Sequence, residues 1–412
     1  MRVLVLSHYY DPEPIHKPAE LARELTRRGH TVAVLTGYPN YPTGKLYPGF
    51  RLGLGRREEL DGIPVTRAWV FPYHGKRVIG RILNYGSFMI SAVLGSSFVP
   101  ACDVIYVWHP PLTIGLAAWV IARLRRVPFV YDVQDIWPES IVVSGVLTEG
   151  WLVRLLSWIE RFVYRQAAHI FVVTDAARDN LIQKGIPARK ISVMSQWVDD
   201  SLFLQTGEHA RRTVREHYGW NGRFVALFAG NFGLVQGLET LIAAAAQLQS
   251  SDRDVLIALV GDGADKRRLQ ALVNAQGLAH HVQFIERQPQ EKIAAFLAAA
   301  DVLLVHLKRS ELSHYVIPVK TLAYLAAGRP ILMAIDGAAA HLIREAGAGL
   351  VIPPEDPAEM ARAIRSLHDM PLYERAAMGQ RGRDYLVPHF STHKVIPQYE
   401  ALLQRVARPG GG

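Results

Sequence analysis

The residues best suited to bind a phosphate lie in one glycine-rich segment, which spans residues 228–239 and reads FAGNFGLVQGLE. A buried-strand pattern precedes this segment and a helical pattern follows it. Glycines let backbone N–H groups approach a diphosphate closely, and a helix N-terminus adds about half a positive charge. We therefore expect Gly230, Asn231, Gly233 and Gln236 to line a phosphate site, although a tight turn without a ligand would use the same residues.

A second strand-to-helix turn, LVGDGA, spans residues 259–264. Gly261 and Gly263 permit a sharp turn and are predicted to line a nucleotide pocket. Asp262 lies between them and is a candidate ligand contact. Its alternative role is to cap the helix that follows.

A third segment, IPVKTLAYLAAGRPI, spans residues 317–331 and predicts a helix that begins near Pro318. Lys320 falls in the first turn of this helix, where a cation opposes the helix dipole at a cost of about a few tenths of a kcal/mol. That placement is explained if an anion binds there. The segment therefore predicts a phosphate site at Pro318, Val319, Lys320 and Thr321, with a surface lysine as the alternative.

Acidic side chains follow a predicted strand in the first half of the chain, where residues 129–140 read FVYDVQDIWPES. Asp132, Asp135 and Glu139 lie just past the end of that strand. Carboxylates in this position can orient sugar hydroxyls or take a proton from an acceptor, and Trp137 could stack on a pyranose ring. Helix capping and packing in the core are the alternatives.

The other candidate motifs are weaker. The loop at residues 9–18, YYDPEPIHKP, carries tyrosines, a lysine and His16 that could hold either substrate. The D-x-D at residues 252–254 precedes a strand, so we interpret it as a turn instead of a metal site. No H-E-x-x-H, paired C-x-x-C, G-x-S-x-G or Walker-type motif is present. No metal or other cofactor is predicted.

Short apolar strands alternate with helical patterns along the whole chain, which predicts parallel sheets covered by helices on both faces. The first series has strands at Val3–Ser7, Thr31–Leu35, Val104–Val107, Phe129–Tyr131, Ile170–Val173 and Ile191–Met194. The second has strands at Phe224–Phe228, Val255–Val260, Val282–Ile285, Val302–Val305, Ile331–Met333 and Gly349–Val351.

This pattern predicts an α/β fold of two doubly wound, Rossmann-like domains that face each other across a cleft. Residues 1–198 form the first domain and residues 199–391 the second, with a polar linker over Val198–Asn221. Residues 392–412 are expected to return as a helix to the first domain. The carboxyl ends of the strands, where such folds bind ligands, would line the cleft.

Composition narrows the choice of partner. The net charge of +9 favours an anionic partner, and the absence of a basic run or a zinc-finger pattern argues against nucleic acid. One cysteine permits no internal disulfide, and Met1 leads directly into a strand pattern without a signal peptide. A cytoplasmic protein is expected.

Two overlapping segments bear on membrane contact. The uncharged run Ile82–Cys102 contains polar residues and a proline, so we favour a buried helix with its following loop over a transmembrane helix. The stretch His74–Leu83 interleaves basic and apolar residues. It predicts either a peripheral contact with the anionic inner face of the plasma membrane or a solvated helix face.

Taken in order, these motifs resemble the family-4 glycosyltransferases of the GT-B class over nearly the whole chain. The resemblance is greatest to the bacterial branch of O-antigen and capsule clusters, which includes fucosamine-type transferases. It rests on YYDPE, ELARELTRRGHTVAVLTGYPNYPTG, VQDIWPES, GNFGLVQGLETL, VGDG and IPVKTLAYLAAGRPIL.

The resemblance implies a retaining glycosyltransferase that uses no metal. Its second half would bind a nucleotide-sugar, of the UDP type, and its first half a saccharide or polyprenyl-diphosphate-linked acceptor. Charge on the leaving diphosphate would be stabilised by the protein, with Lys320 contributing. Asp135 and Glu139 are the candidate catalytic carboxylates.

The sequence departs from the family at several positions. Tyr315 and Ala323 stand where many relatives have an E-x7-E glutamate pair, the second of which holds ribose. Asn231 and Gln236 replace an arginine and a lysine, and Gln134 replaces a histidine. The expected phosphate cations therefore shift to Lys320, Arg287 and Lys308. Two alternative functions stay open, a nucleotide-sugar 2-epimerase and a noncatalytic nucleotide-sugar-binding subunit.

Overall fold

A computed structural model describes residues 1–75, 77–143, 150–204, 206–248 and 253–407. The chain divides into two compact units. Unit 1 comprises the residues up to Met194 together with the segment that begins at Ile396, and unit 2 runs from Ser195 to Val395. The sequence predicts boundaries at 198 and 391, and the assignment of acceptor and donor to the two units stays a prediction.

Unit 1 is built on an eight-stranded sheet with the order β3-β4-β2-β1-β5-β6-β7-β8. The edge strand β3 runs antiparallel to β4, and the other neighbouring strands are parallel. The strands are β1 Arg2–Ser7, β2 Thr31–Gly37, β3 Gly55–Leu60, β4 Ile63–Ala68, β5 Val104–His109, β6 Phe129–Val133, β7 His169–Val172 and β8 Ile191–Val193.

Helices cover the sheet of unit 1, as the alternating pattern predicts. They are α1 Lys17–Arg27, α2 Val78–Gly95, α3 Thr113–Arg125, α4 Glu139–Val143, α5 Trp151–Gln166 and α6 Asp175–Gln183. The returning helix runs over Thr392–Ala407. Its Tyr399 ring packs 4.8 Å from the Phe171 ring, and Glu400 lies 2.7 Å from His30. The predicted return of the last helix to the first domain is confirmed.

The prediction of a buried helix in Ile82–Cys102 is wrong about burial. Helix α2 contacts the rest of unit 1 through one stripe, with Gly80, Asn84, Phe88 and Ala92 buried at four-residue intervals. Its other faces expose isoleucines and leucines. Residues Val78–Phe98 are long and apolar enough to span a membrane by length and composition, and 28% of the most apolar window is buried.

Unit 2 is built on a six-stranded parallel sheet with the order β11-β10-β9-β12-β13-β14. The strands are β9 Phe224–Asn231, β10 Val255–Asp262, β11 Val282–Ile285, β12 Val302–His306, β13 Ile331–Ala334 and β14 Gly349–Val351. The helices are α7 Ser201–Leu204, α8 Glu208–His217, α9 Glu239–Leu248, α10 Lys266–Ala275, α11 Gln290–Ala299, α12 Val319–Ala327, α13 Ala338–Ala346, α14 Pro357–Asp369 and α15 Leu372–Phe390; the returning helix is α16.

The segment predicted as a polar linker, Val198–Asn221, contains α7 and α8 and belongs to unit 2. Helix α8 is mostly charged and buries Val214, while Trp220 just after it is fully buried. A helix that needs so few apolar residues resembles linker in composition. The predicted fold class, two doubly wound α/β sheets, is confirmed.

Candidate functional site

Each sheet changes its direction of winding once, and open α/β sheets bind ligands at the carboxyl ends of the strands at such a switch point. The switch point of unit 1 lies between β1 and β5, and that of unit 2 lies between β9 and β12. The glycine-rich segment follows β9, and α12 is the first α-helix after β12. The carboxyl edge of β9 and β12 is therefore the candidate site of unit 2.

The floor of the unit 2 site consists of backbone. Gly230 and Gly261 are paired across β9 and β10 and have φ values of 155° and 149°. A Cβ atom on Gly261 would lie 1.9 Å from the carbonyl oxygen of Gly230, and one on Gly263 would lie 2.6 Å from that of Phe232. The close packing of the two turns therefore requires these glycines, whether or not a ligand binds.

Lys320 supplies a cation at this floor. Its Nζ donates to Oε1 of Gln236 at 2.8 Å and lies 3.8 Å from the centre of the Phe228 ring. A Cβ atom on Gly230 would approach Nζ to 2.8 Å, so the lysine lies directly against that glycine. No carboxylate among the described residues pairs with Nζ. Burial lowers the pKa of Lys320 to about 7, because the site offers little compensation for its charge.

His306, at the end of β12, positions the glycine-rich segment and was not predicted. Its Nδ1 donates to the backbone carbonyl of Gln236 at 2.6 Å, and its Nε2 accepts from the backbone N–H of Glu355 at 3.1 Å. Since one nitrogen donates and the other accepts, the ring is neutral. Burial also lowers the pKa of His306, which favours the same neutral form. The sequence signal that could have identified His306 is a histidine at the end of a strand next to the switch point.

The other predicted cations and the predicted aspartate lie in different surroundings. Lys308 pairs with Glu239 at 2.7 Å, so its charge is already balanced. Arg287 is exposed after β11. Asp262 is exposed at the end of β10, and its Oδ1 accepts from the N–H of Gly263 at 2.8 Å. Lys320 is thus the predicted cation that lies at the switch point without an acidic partner.

The remaining predicted contacts lie on the two segments that frame the site. Pro318 is the N-cap of α12, and Val319 follows with 53% of its surface exposed. Thr321 is fully buried, and its hydroxyl has no hydrogen-bond partner among the described residues. Asn231 is exposed at the end of β9, and Gly233 lies beside its side-chain amide. Backbone groups and Lys320 are therefore better placed than Thr321 to meet a ligand.

In unit 1, Asp132 has a structural role. It is buried at 1% exposure and accepts from Tyr106 Oη at 2.5 Å and from Gln134 Nε2 at 2.6 Å. Burial raises the pKa of Asp132 to about 7, while hydrogen bonds from Tyr106, Gln134 and Tyr399 oppose the rise. Through Tyr399 this carboxyl joins the returning helix to the sheet.

The two predicted catalytic carboxylates differ from each other. Glu139 pairs with Lys184 at 2.8 Å, and Lys184 also binds the fully buried Glu160. Asp135 is half-buried and hydrogen-bonds to none of the described side chains, and burial raises its pKa. Asp135 is therefore the carboxylate that is free to meet a substrate.

Two histidines that were not predicted lie at the switch point of unit 1. His8 follows β1 and His109 ends β5, and each is 1% exposed. Burial lowers the pKa of each to about 3. The Trp137 ring, which was predicted as a stacking platform, lies 5.8 Å from the His109 ring.

The loop that carries YYDPE is held by its own glutamate. Glu13 is fully buried and accepts backbone N–H bonds from Asn40 and Tyr41 at 2.8 Å and from Tyr10 at 3.2 Å. His16, the predicted substrate contact, lies 3.3 Å from Asp11. The motif therefore fixes the shape of this loop.

In the part of the chain that the structure describes, no group of three or more His, Cys, Asp or Glu side chains could hold a metal ion. Asp252 of the D-x-D lies outside that part, and Asp254 lies 2.9 Å from His368.

Two α/β units of this kind are also the architecture of the GT-B glycosyltransferases, whose solved structures resemble this chain. A family model for a glycosyl transferase 4-like domain matches residues 18–197, and one for glycosyl transferases group 1 matches residues 210–385. The chain belongs to this glycosyltransferase family, as the sequence motifs predict.

Individual relatives agree with this assignment. The chain is 26% identical to the putative colanic acid biosynthesis glycosyl transferase WcaI of Escherichia coli over 80% of its own length and 82% of that protein. It is 29% identical to the alpha-D-kanosaminyltransferase of Streptomyces kanamyceticus over 54% of its length, and it spans 57% of that relative. The structure of Anabaena HepE in complex with UDP-glucose superposes with a TM-score of 0.74 at 18% identity, covering 98% of this chain and 100% of HepE. That last likeness establishes the fold.

Proposed function

We propose that this glycosyltransferase transfers a sugar with retention from a UDP-sugar to a saccharide acceptor, such as a polyprenyl-diphosphate-linked sugar, in bacterial surface polysaccharide synthesis of the O-antigen or capsule type. The observation that carries the proposal is Lys320, a partly buried cation without an acidic partner at the switch point of unit 2. The name of WcaI supports polysaccharide synthesis, and the UDP-glucose bound to HepE supports the nucleotide.

The unit 2 site suits a leaving diphosphate. Lys320 lies directly against Gly230 at the carboxyl edge, and the N-terminus of α12 adds the positive end of its dipole to the same edge. Lys320 stabilises the negative charge that develops as the glycosidic bond breaks. No metal is required by this arrangement of charges. Asp135 in unit 1 is proposed to orient the acceptor hydroxyl, which the departing diphosphate helps to deprotonate.

The test begins with a thermal-shift screen of UDP-, GDP-, ADP- and dTDP-sugars, because a bound ligand raises apparent stability. We expect the largest shift with a UDP-sugar. The second step measures UDP release with and without polyprenyl-diphosphate-linked sugars. Release that depends on an acceptor supports the proposal. Conversion of the donor sugar without any acceptor would indicate a 2-epimerase, and binding without turnover a noncatalytic subunit.

A peripheral position on the inner face of the plasma membrane is part of the proposal. Helix α2 exposes Ile79, Ile82 and Ile90, and Arg77 and Arg81 lie at its start. An exposed apolar face with basic residues beside it suits the interface of an anionic bilayer. Lys76, which completes the predicted basic stretch, lies outside the described residues.

Vesicle binding tests this position. Replacing Ile79 and Ile82 with serine and Arg77 and Arg81 with glutamine should reduce co-sedimentation with phosphatidylglycerol-containing vesicles. Leu372 and Tyr373 are equally exposed in unit 2, so serine replacements there are the matched control. Equal binding by both variants would contradict the membrane position and leave the transferase proposal intact.

A further inference from the structure

Two neighbouring parallel strands of unit 1 lead into histidines at the switch point. Ser7 of β1 is paired with Trp108 of β5, so the next residues along the two parallel strands, His8 and His109, are neighbours. Residues paired across parallel strands point to the same face of the sheet. The two rings therefore belong to one cluster at the position where an open α/β sheet binds its ligand.

Several polar atoms of these two histidines and of Tyr131 are buried without a hydrogen-bond partner among the described residues. They are Nδ1 and Nε2 of His8, Nδ1 of His109 and the hydroxyl of Tyr131. The His109 and Tyr131 rings lie 5.5 Å apart. Buried polar atoms are almost always hydrogen-bonded, so several unpaired atoms at one switch point call for a missing ligand or bound water.

The surroundings of the two rings are largely aromatic, with the Asn84 amide beside His8. The Phe88 and Tyr9 rings each lie 4.6 Å from His8, and the Tyr85 ring lies 5.6 Å from it. Both imidazoles stay uncharged, since burial lowers their pKa to about 3. A neutral imidazole offers one donor and one acceptor, as a sugar hydroxyl does. A phosphate offers acceptors alone and is drawn to cations.

Two partly exposed aromatic side chains, Tyr85 and Trp137, lie next to the two histidines. The Tyr85 and Trp137 rings lie 6.3 Å apart, and Trp137 also contacts His109 at 5.8 Å. Rotation of either side chain would open a path to the imidazoles. The exposed aromatic faces would then stack against the apolar face of a pyranose ring.

We propose that His8 and His109 form an acceptor subsite that receives an uncharged sugar ring through its hydroxyl groups. This inference rests on the proposed function. It adds that the part of the acceptor that meets His8 and His109 is an uncharged sugar ring. The lipid diphosphate of such an acceptor binds elsewhere. His8 and His109 act as positioning and specificity residues, and the bond-forming chemistry is left to the groups already described.

The first test uses the unaltered protein, labelled with ¹³C at histidine Cε1. Its spectrum is followed during titration with millimolar methyl glycosides of glucose, galactose, mannose and N-acetylglucosamine, and separately with inorganic pyrophosphate. We expect the His8 and His109 signals to move with at least one glycoside and to stay unchanged with pyrophosphate. Unchanged signals with all four glycosides, or movement with pyrophosphate, would overturn the inference.

Variants provide the assignment and a second readout. His109→Phe keeps the ring packing but removes both nitrogens, and His109→Gln keeps one donor and one acceptor. We expect the KM for a turned-over acceptor to rise about tenfold in H109F, with partial recovery in H109Q and an unchanged UDP thermal shift. An unchanged KM in H109F would contradict the subsite. If the wild type shows no UDP shift at all, the proposed function fails first, and the glycoside titration still decides the subsite.

Discussion

The two switch points share a topology but differ in chemistry. In unit 2 the strand ends meet as glycine backbone, and the functional side chain, Lys320, reaches in from a later helix. In unit 1 the strand ends themselves supply side chains, those of His8 and His109. A backbone floor with a cation suits an anion, whereas a floor of neutral imidazoles suits hydroxyl groups. Position in the fold thus selects where a ligand binds, and the local residues select which kind.

A substitution at Gly261, in the backbone floor of the unit 2 site, is expected to have the largest effect on stability. Gly261→Ala would place Cβ 1.9 Å from the Gly230 carbonyl oxygen at a φ that L-residues rarely adopt. We expect unit 2 to lose about 3 kcal/mol or more of stability, because backbone atoms must move apart. Chemical denaturation followed by intrinsic fluorescence measures this loss.

Gly219 provides the matched control for that substitution. It also has a positive φ, of 70°, but a Cβ there would meet nothing within 4 Å. Gly219→Ala should therefore cost only about 1 kcal/mol, which is the strain of the backbone conformation alone. If the two variants lost similar amounts of stability, close packing of the two turns would not be the reason that glycine is needed at position 261.

The cation of unit 2 can be removed with Lys320→Met, which keeps the length of the side chain. A charge-assisted hydrogen bond contributes about 1.5–3 kcal/mol, so we expect UDP-glucose affinity to fall roughly 10- to 100-fold. Isothermal titration calorimetry measures the affinity. Lys308→Met is the control, because Lys308 is already paired with Glu239. Unchanged affinity in K320M, or an equal loss in both variants, would remove Lys320 from the donor site.

Much of the fold could be predicted from the sequence, since apolar strands and helix ends carry strong local signals. The predicted strands Val282–Ile285 and Gly349–Val351 match β11 and β14 residue for residue. The hairpin of β3 and β4 was missed because β3 is charged and mostly exposed, and β4 is short and contains Pro64. The Asp61-Gly62 turn between them, with φ values of 53° and 76°, was a readable hairpin signal. Helix α15 was also missed, since its apolar residues show little helical periodicity.

The candidate site residues, too, could be predicted only where the sequence carries a local signal. Lys320 could be proposed because a lysine in a first helical turn is visible in the sequence, and its position against Gly230 supports that role. Gly261 and Gly263 were also visible, but the carbonyl groups that make them necessary come from another strand. His8 and His109 are about a hundred residues apart, and only strand register brings them together. Residues whose function depends on such pairing leave no local pattern.

The contrast between a titrating cation and non-titrating imidazoles can be sharpened with pH. The pKa of Lys320 is lowered to about 7, whereas those of His8 and His109 are lowered to about 3. Raising the pH from 6 to 8 removes the proton from Lys320 in most molecules and leaves both histidines neutral throughout. The ammonium form binds an anion, so UDP-glucose affinity should fall about tenfold over this range.

The diphosphate of UDP-glucose does not itself titrate there, which makes it a better probe than UDP. K320M should show a flat profile, and binding of the neutral methyl glycosides should be flat in both proteins. A wild-type profile that stays flat would mean that Lys320 is fully charged in the free site, and a slope that persists in K320M would assign the titration to another group.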